Sequence, residues 1–257
     1  MGVKRPSRRF SKSQFRQIEG RNPVLEAFRA KTVIETLYLE EGLHLDDRLR
    51  EIYHLAVKQK TQIEKLSTKK LRQMSKTGGH HQGVIAHAQP WHSENFSVYF
   101  NQLLEKKDKP FFLILPEILY EHNLGAVLRS AEAAGVDGVI LSNRGLPISP
   151  VVCKTAVGAE EHLPIFYENI FSTIKLLKSK AIKIYGLEEG DHKRIYNAKF
   201  EYGVALIIGA EDTGITETVA QHIDEFVSIP MLGNIGSLNM SVAASVCMYE
   251  IVRQRKY

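Results

Sequence analysis

Residues 227–255 read VSIPMLGNIGSLNMSVAASVCMYEIVRQR. Phe226 to Ile229 is a short apolar run that reads as a strand, and Pro230 stops it. The loop that follows carries Gly233 and Gly236, which permit backbone shapes other residues resist. A long helix comes next. Ser237 is placed to cap it, Val242, Val246, Tyr249 and Val252 recur at helical spacing, and Arg253, Arg255 and Lys256 fall in its last turn, where cations favour the helix dipole. A strand, a glycine loop and a helix N-terminus in succession offer outward-pointing backbone N–H groups, a natural seat for a ligand in an α/β domain.

The preceding sequence extends this pattern. Phe111 to Leu115 is a continuous apolar run, as expected of a strand buried on both faces. The segment from Leu124 to Ala134 reads as a helix ending at Gly135, and Val139 to Leu141 as the next strand. Ile170 to Leu177 is an amphipathic helix, with further strands at Ile182 to Gly186 and Val204 to Ile208. Such alternation predicts a mostly parallel sheet covered on both faces. In sheets of that kind, ligands sit at the carboxyl ends of the strands. Three informative loops lie there: Pro116 to Asn123, Gly209 to Gly214, and Pro230 to Gly236. Neither GxGxxG after a strand nor GxxxxGK[ST] occurs, which argues against nicotinamide enzymes, P-loop NTPases and Rossmann-type methyltransferases.

The first third is organised separately. Asn22-Pro23 opens a helix with Val24, Leu25 and Phe28 on one face. Strands at Thr32 to Leu39, Gln62 to Leu66 and Gly83 to His87 alternate with helices starting near Asp46 and Ser67. This is enough for a small independent core over residues 18–89. His80 and His81, with His87 nearby, are candidates for RNA or metal contact or simply for a polar loop; no cysteine or carboxylate cluster accompanies them, so no metal site is expected. Residues 90–109 break apolar periodicity and read as a linker, with a stretch of helix bearing Phe96, Phe100 and Leu104 on one face. Residues 110–257 form the second domain.

The chain has 257 residues, 44% hydrophobic and 25% charged, the balance of a soluble globular protein. No apolar run approaches the roughly 20 residues that span a bilayer, and the basic N-terminal residues lack an apolar signal core. Cys153 and Cys247 lie far apart, so neither a disulfide framework nor a zinc site is expected and a reducing cytoplasm is the default. The net charge of +5 is uneven: Lys4, Arg5, Arg8, Arg9, Lys12 and Arg16 make residues 1–17 a basic arm, either a solvated tail or a phosphate-tracking segment.

Three segments in order, NLGAVLRSAEAAG from Asn123, GAEDTGI from Gly209 and the opening stretch, resemble the three motifs of the SpoU RNA 2′-O-ribose methyltransferases over residues 111–255. GHHQGVIAHAQP and its flanking element order resemble the N-terminal domain of many such enzymes, itself similar to kink-turn-binding ribosomal proteins. The resemblance implies a trefoil-knotted SPOUT domain, bound S-adenosyl-L-methionine, and a homodimer with its sites at the interface. It implies an RNA substrate, with a guanosine of 23S rRNA favoured over tRNA. A non-catalytic RNA-binding assembly factor of the same fold is the other reading. It assigns Asn123, Arg129, Glu211, Ser237 and Asn239 to the reaction, and Gly209, Ile229, Met231, Gly233 and Leu238 to the cofactor. Glu211 is expected to orient Arg129 or the ribose, and Arg129 to clamp phosphate with its planar fork. Where the family has Asp-Pro before the first-motif Asn, this chain has Tyr120-Glu121, a departure expected to alter that loop or its substrate fit.

Overall fold

A computed structural model describes residues 15–44, 46–91 and 95–256. The chain falls into two compact units that divide between His92 and Ser93. The first has the order β1 (Arg16–Glu19), α1 (Arg21–Arg29), β2 (Ile34–Glu40), α2 (Asp47–Gln59), β3 (Gln62–Leu66), α3 (Thr68–Met74), β4 (Val84–Ala88). Its mixed sheet runs β1-β4-β2-β3, with β2–β3 parallel and the other pairs antiparallel. Phe28, Leu37, Leu49, Ile52 and Val84 fill the core between sheet and helices.

β1 corrects the reading of residues 1–17 as an arm. Arg16 and Gln17 are strand residues paired with Ala88 and His87, and Arg16 stacks its guanidinium 5.0 Å from the Trp91 ring centre. The other arm cations lie outside the described residues. At the end of β1, Glu19 is fully buried. Burial by itself raises a carboxylate's pKa, but Lys76 N–H, the Ser75 and Thr77 hydroxyls and the Gln17 amide all donate to Glu19, and together they hold it below its ordinary value.

The second unit contains α4 (Phe96–Leu104), β5 (Phe111–Leu115), α5 (Glu121–Ala133), β6 (Gly138–Ser142), α6 (Pro150–Ala156), β7 (Ile165–Glu168), α7 (Ile170–Ser179), β8 (Lys183–Leu187), β9 (Lys193–Arg194), β10 (Val204–Ile208), α8 (Glu217–Ala220), β11 (Glu225–Ser228) and α9 (Met240–Lys256). Its sheet runs β7-β6-β5-β10-β8-β11-β9, every pair parallel. All five residues of β5 and of β10 are buried, which is why both read as unbroken apolar runs. Side chains alternate across the sheet. Phe112, Ile114, Ala205 and Ile207 pack with residues of α4, α7 and α8, while Leu113 and Leu206 are buried on the opposite face.

The linker reading of residues 90–109 needs correction as well. α4 belongs to the second unit's core: Asn95 caps it, and Phe96 and Phe100 are buried against Phe112 and Phe166. Asn101 lies on the exposed face of α4, and the run Lys106 to Lys109 follows the helix before β5. Among the described residues, no helix is long and apolar enough to cross a membrane.

The sheet order matters most for the site. β5, β10, β8 and β11 are successive neighbours although they are far apart in sequence. Their carboxyl ends therefore deliver residues 116–123, 209–214, 188–190 and 229–239 side by side.

Candidate active site

At the ends of β10, β8 and β11 lies a cleft of about 680 Å³. Gly209, Ile229, Met231 and Leu238 line it, as do Glu211, Ser237 and Asn239. Gly233 does not: it is exposed, and Gly236 lines the cleft instead. Both glycines are exposed in one irregular loop, and their spacing in sequence does not say which one lines the cleft.

Gly209 has a demonstrable reason to be glycine. A Cβ there would lie 2.2 Å from the Gly214 carbonyl carbon and 2.5 Å from Ile215 N, both backbone atoms that cannot step aside. The chain folds back because Ala210 and Gly214 exchange both backbone hydrogen bonds, at 3.0 and 2.9 Å. That closed loop presents Glu211 and Asp212 to the cleft.

At the cleft mouth, three polar side chains from three segments are joined in a defined direction. Asn239 Oδ1 accepts from Ser241 N–H at 3.0 Å and from Ser241 Oγ at 2.6 Å. A backbone N–H can only donate, so this end of the Asn239 amide is its oxygen. Its nitrogen then donates to Asn123 Oδ1 at 3.1 Å and reaches Glu211 Oε1 at 3.4 Å. Asn123 Nδ2 in turn donates to Glu211 Oε2 at 2.7 Å. Every donor points toward Glu211, the terminal acceptor.

This geometry corrects three expectations. α5 begins at Glu121 rather than Leu124, so Asn123 lies inside the first turn, where its side chain bonds Glu211. α9 begins at Met240, and Asn239 rather than Ser237 caps it; Ser237 stays exposed on the cleft wall. Glu211 bonds the two asparagines and not Arg129. The six residues from Asn123 to Arg129 turn the helix by about 600°, which leaves their side chains about 120° apart. Arg129 is exposed and makes no hydrogen bond or ion pair among the described residues.

The Tyr120-Glu121 departure leaves this arrangement standing. Tyr120 is an exposed N-cap residue in extended conformation, and Glu121 places an acid in the helix's first turn. Packing beneath is tight: a Cβ on Gly125 would meet Thr155 Cβ at 2.5 Å and Val152 O at 2.8 Å, so α5 can lie on α6 only with glycine there. Thr155 also bonds His122 Nδ1 at 3.2 Å.

The protein matches the SpoU rRNA Methylase family over residues 110–249, and the RNA 2′-O ribose methyltransferase substrate-binding family over residues 17–92. The chain belongs to the SpoU rRNA methylase family. It is an RNA methyltransferase of that family. It is 37% identical over 232 residues to the 23S rRNA (guanosine-2′-O-)-methyltransferase RlmB of Escherichia coli K12, covering 88% of this chain and 93% of the relative. A solved RNA 2′-O ribose methyltransferase superposes with a TM-score of 0.80 at 25% identity, covering 94% of this chain and 89% of that one. The SpoU methyltransferase AviRb from Streptomyces viridochromogenes, solved with AdoMet, superposes with a TM-score of 0.80 at 20% identity over 95% and 91% of the two chains, a likeness of fold.

Sequence reasoning on this methylase missed the β8 loop. Glu188, Glu189, Gly190 and Arg194 line the cleft beside Asp212. The signal was available in the rule that ligands gather at strand carboxyl ends, since Leu187 closes β8 directly before them. Among the described residues, no three His, Cys, Asp or Glu side chains gather as metal ligands.

Proposed function

We propose that this chain transfers a methyl group from S-adenosyl-L-methionine to a ribose 2′-hydroxyl, in a guanosine of 23S rRNA. The observation that carries the reading is the directed chain from Ser241 through Asn239 and Asn123 to Glu211, at the mouth of a cleft shaped by Gly209. The 37% identity to RlmB favours guanosine in 23S rRNA over a tRNA ribose.

The cleft suits the cofactor chemically. Glu188, Glu189, Glu211 and Asp212 face it against Arg194, a surplus of negative charge that complements a sulfonium cation. Ile229, Met231 and Leu238 would bound the adenine, with Gly209 and Gly236 allowing close backbone approach. When bound, S-adenosyl-L-methionine supplies a methyl group activated by its own positive charge. Asn123 and Asn239 hold the Glu211 carboxylate in one orientation, leaving lone pairs for the ribose 2′-hydroxyl. Glu211 accepts that hydroxyl's hydrogen bond and carries the proton away as the oxygen is methylated. Ser237, on the same wall, contacts the ribose.

Arg129 faces away from this chain's own Glu211, so its phosphate-clamping role calls for a second copy. Leu119, Tyr120, Leu232, Ile235, Val242 and Tyr249 are exposed apolar residues on the approach to α5, the loop after β11, and α9. α5 and α9 adjoin, joined by a bond of 2.8 Å from Ser245 Oγ to Ser130 Oγ. A homodimer through these elements would cover the apolar residues and bring one copy's Arg129 to its partner's cleft. The trefoil-knotted path is what the family resemblance implies, and the insertion of β10 between β5 and β8 and of β11 between β8 and β9 is compatible with it. The first unit, with its kink-turn-protein-like element order, holds the RNA. The buried free thiols of Cys153 and Cys247 fit a reducing cytoplasm.

Mapping 2′-O-methyl groups on 23S rRNA from cells with and without the gene tests the reading, together with calorimetry of S-adenosyl-L-methionine binding. One guanosine should lose its methyl group, and binding should be micromolar, about −8 kcal/mol. An unchanged methylation map, or no binding at millimolar ligand, refutes it.

A further inference from the structure

The first unit contains a cavity of about 480 Å³, well apart in sequence from the catalytic loops, where α1, the start of α2, α3 and the segment before β4 converge. His81 lines it and is only 4% exposed. Gly83 N–H donates to His81 Nδ1 at 3.0 Å. Because a backbone N–H cannot accept, Nδ1 is the bare nitrogen and the ring proton sits on Nε2. That Nε2–H is buried and has no hydrogen-bond partner among the described residues. Unpaired buried donors are rare in folded proteins, and one beside a cavity calls for an acceptor from outside.

The rest of the lining says what kind of acceptor. Asp46 is already committed to Arg21 and to the N-terminus of α2 through Leu49 N–H. Arg21 also bonds the Gln82 carbonyl. The side chains of Arg48 and Arg72 are exposed and make no hydrogen bond or close ion pair among the described residues, although Arg48 is near enough to Asp46 to favour its charged form. Against them stands Glu40, one of whose oxygens takes the Thr68 hydroxyl. Uncommitted groups are therefore mostly donors, two of them guanidinium forks suited to a tetrahedral oxyanion. Among the described residues no Phe, Tyr or Trp lines the cavity, so it offers no broad platform for stacking a base.

We propose that this cavity seats a backbone phosphate of the RNA substrate, with His81 Nε2–H at its floor and Arg48 and Arg72 at its rim. The proposal rests on the RNA-methylating reading above and adds to it a fixed anchoring point within the first unit. Such a contact sets register and orientation without reading sequence.

The test uses the full chain. With ¹⁵N-labelled histidine, inorganic phosphate should shift the His81 Nε2 resonance saturably, and a 23S rRNA transcript should shift it further. Replacing His81 would also break its bond to Gly83, so the affinity arm uses the exposed pair instead. Arg48→Gln with Arg72→Gln should weaken transcript binding at least about fivefold and reduce the slope of log affinity against log salt by about one. Affinity for S-adenosyl-L-methionine should not change. A His81 resonance indifferent to phosphate, or a double variant with wild-type RNA affinity and salt slope, overturns the phosphate site while leaving the methyltransferase reading intact. A wild-type chain that binds no RNA overturns both.

Discussion

Asn123→Asp is the sharpest probe of the catalytic cleft, because it changes one atom type and leaves the shape alone. Asn123 Nδ2 stands 2.7 Å from Glu211 Oε2 and donates to it. Replacing that nitrogen with oxygen sets two carboxylates head to head. At the observed 2.7 Å, two unit charges repel by about 6 kcal/mol at an effective dielectric near 20, and by about 1.5 kcal/mol in water-like surroundings. Glu211 is exposed and Asn123 half-buried, which places the effect toward the lower figure, about 1.5–3 kcal/mol. That corresponds to one step of the carboxylate pair titrating about one to two pH units above its ordinary range. The variant should therefore lose more activity relative to wild type as pH rises, since a single shared proton at lower pH restores a hydrogen bond across the pair. The assays are ¹³C titration of the side-chain carboxylates and methyl transfer to a 23S rRNA transcript across pH 5 to 9. Adding Glu211→Gln to Asn123→Asp should return the pair to ordinary titration, with donor and acceptor exchanged. Two carboxylates titrating in the ordinary range, with a pH-independent activity ratio, would refute the directed hydrogen-bond chain.

Other outcomes follow from the same geometry. Gly209→Ala forces a methyl group against the Gly214 and Ile215 backbone; it should destabilise the second unit by about 1–3 kcal/mol and abolish cofactor binding measured by calorimetry. Arg129→Lys keeps the charge and loses the fork, so turnover should fall at least about tenfold, ~1.4 kcal/mol of transition-state stabilisation, with cofactor affinity unchanged; a lysine variant with wild-type methyl transfer would remove the clamp role. Glu19→Gln leaves the Lys76, Ser75 and Thr77 donors facing a neutral amide and should cost the first unit about 2–3 kcal/mol at neutral pH. Because the folded-state pKa of Glu19 is depressed, its contribution is present above the ordinary carboxylate pKa and is lost as pH falls through the lowered value. The gap between wild type and Glu19→Gln, followed by hydrogen exchange in the first unit, should close on acidification.

What the sequence settled by itself is local in origin. β5 and β10 announce themselves as continuous apolar runs because both of their faces are buried. The helical stretch of α9 is visible in its spacing, and Val242 and Tyr249 of that spacing are exposed. The order of strands, glycine loops and helices was enough to expect a parallel sheet with ligand chemistry at its carboxyl ends, and the motif residues Gly209, Glu211 and Asn239 do line one cleft. Which strand lies beside which is a different kind of fact. β10 pairs with β5 and β8, and that choice depends on the whole core, so no window of sequence contains it. It brings Asn123 to Glu211 across 88 positions and Asn239 to Asn123 across 116. The same holds for the points that needed correction. Gly236 rather than Gly233 faces the cleft, Asn239 rather than Ser237 caps α9, and Glu211 is held by two amides rather than by Arg129. The last two outcomes were set by what else had arrived within hydrogen-bond reach. A hydrogen bond is decided at about 3 Å, a scale on which only the assembled backbone determines which donor meets which acceptor.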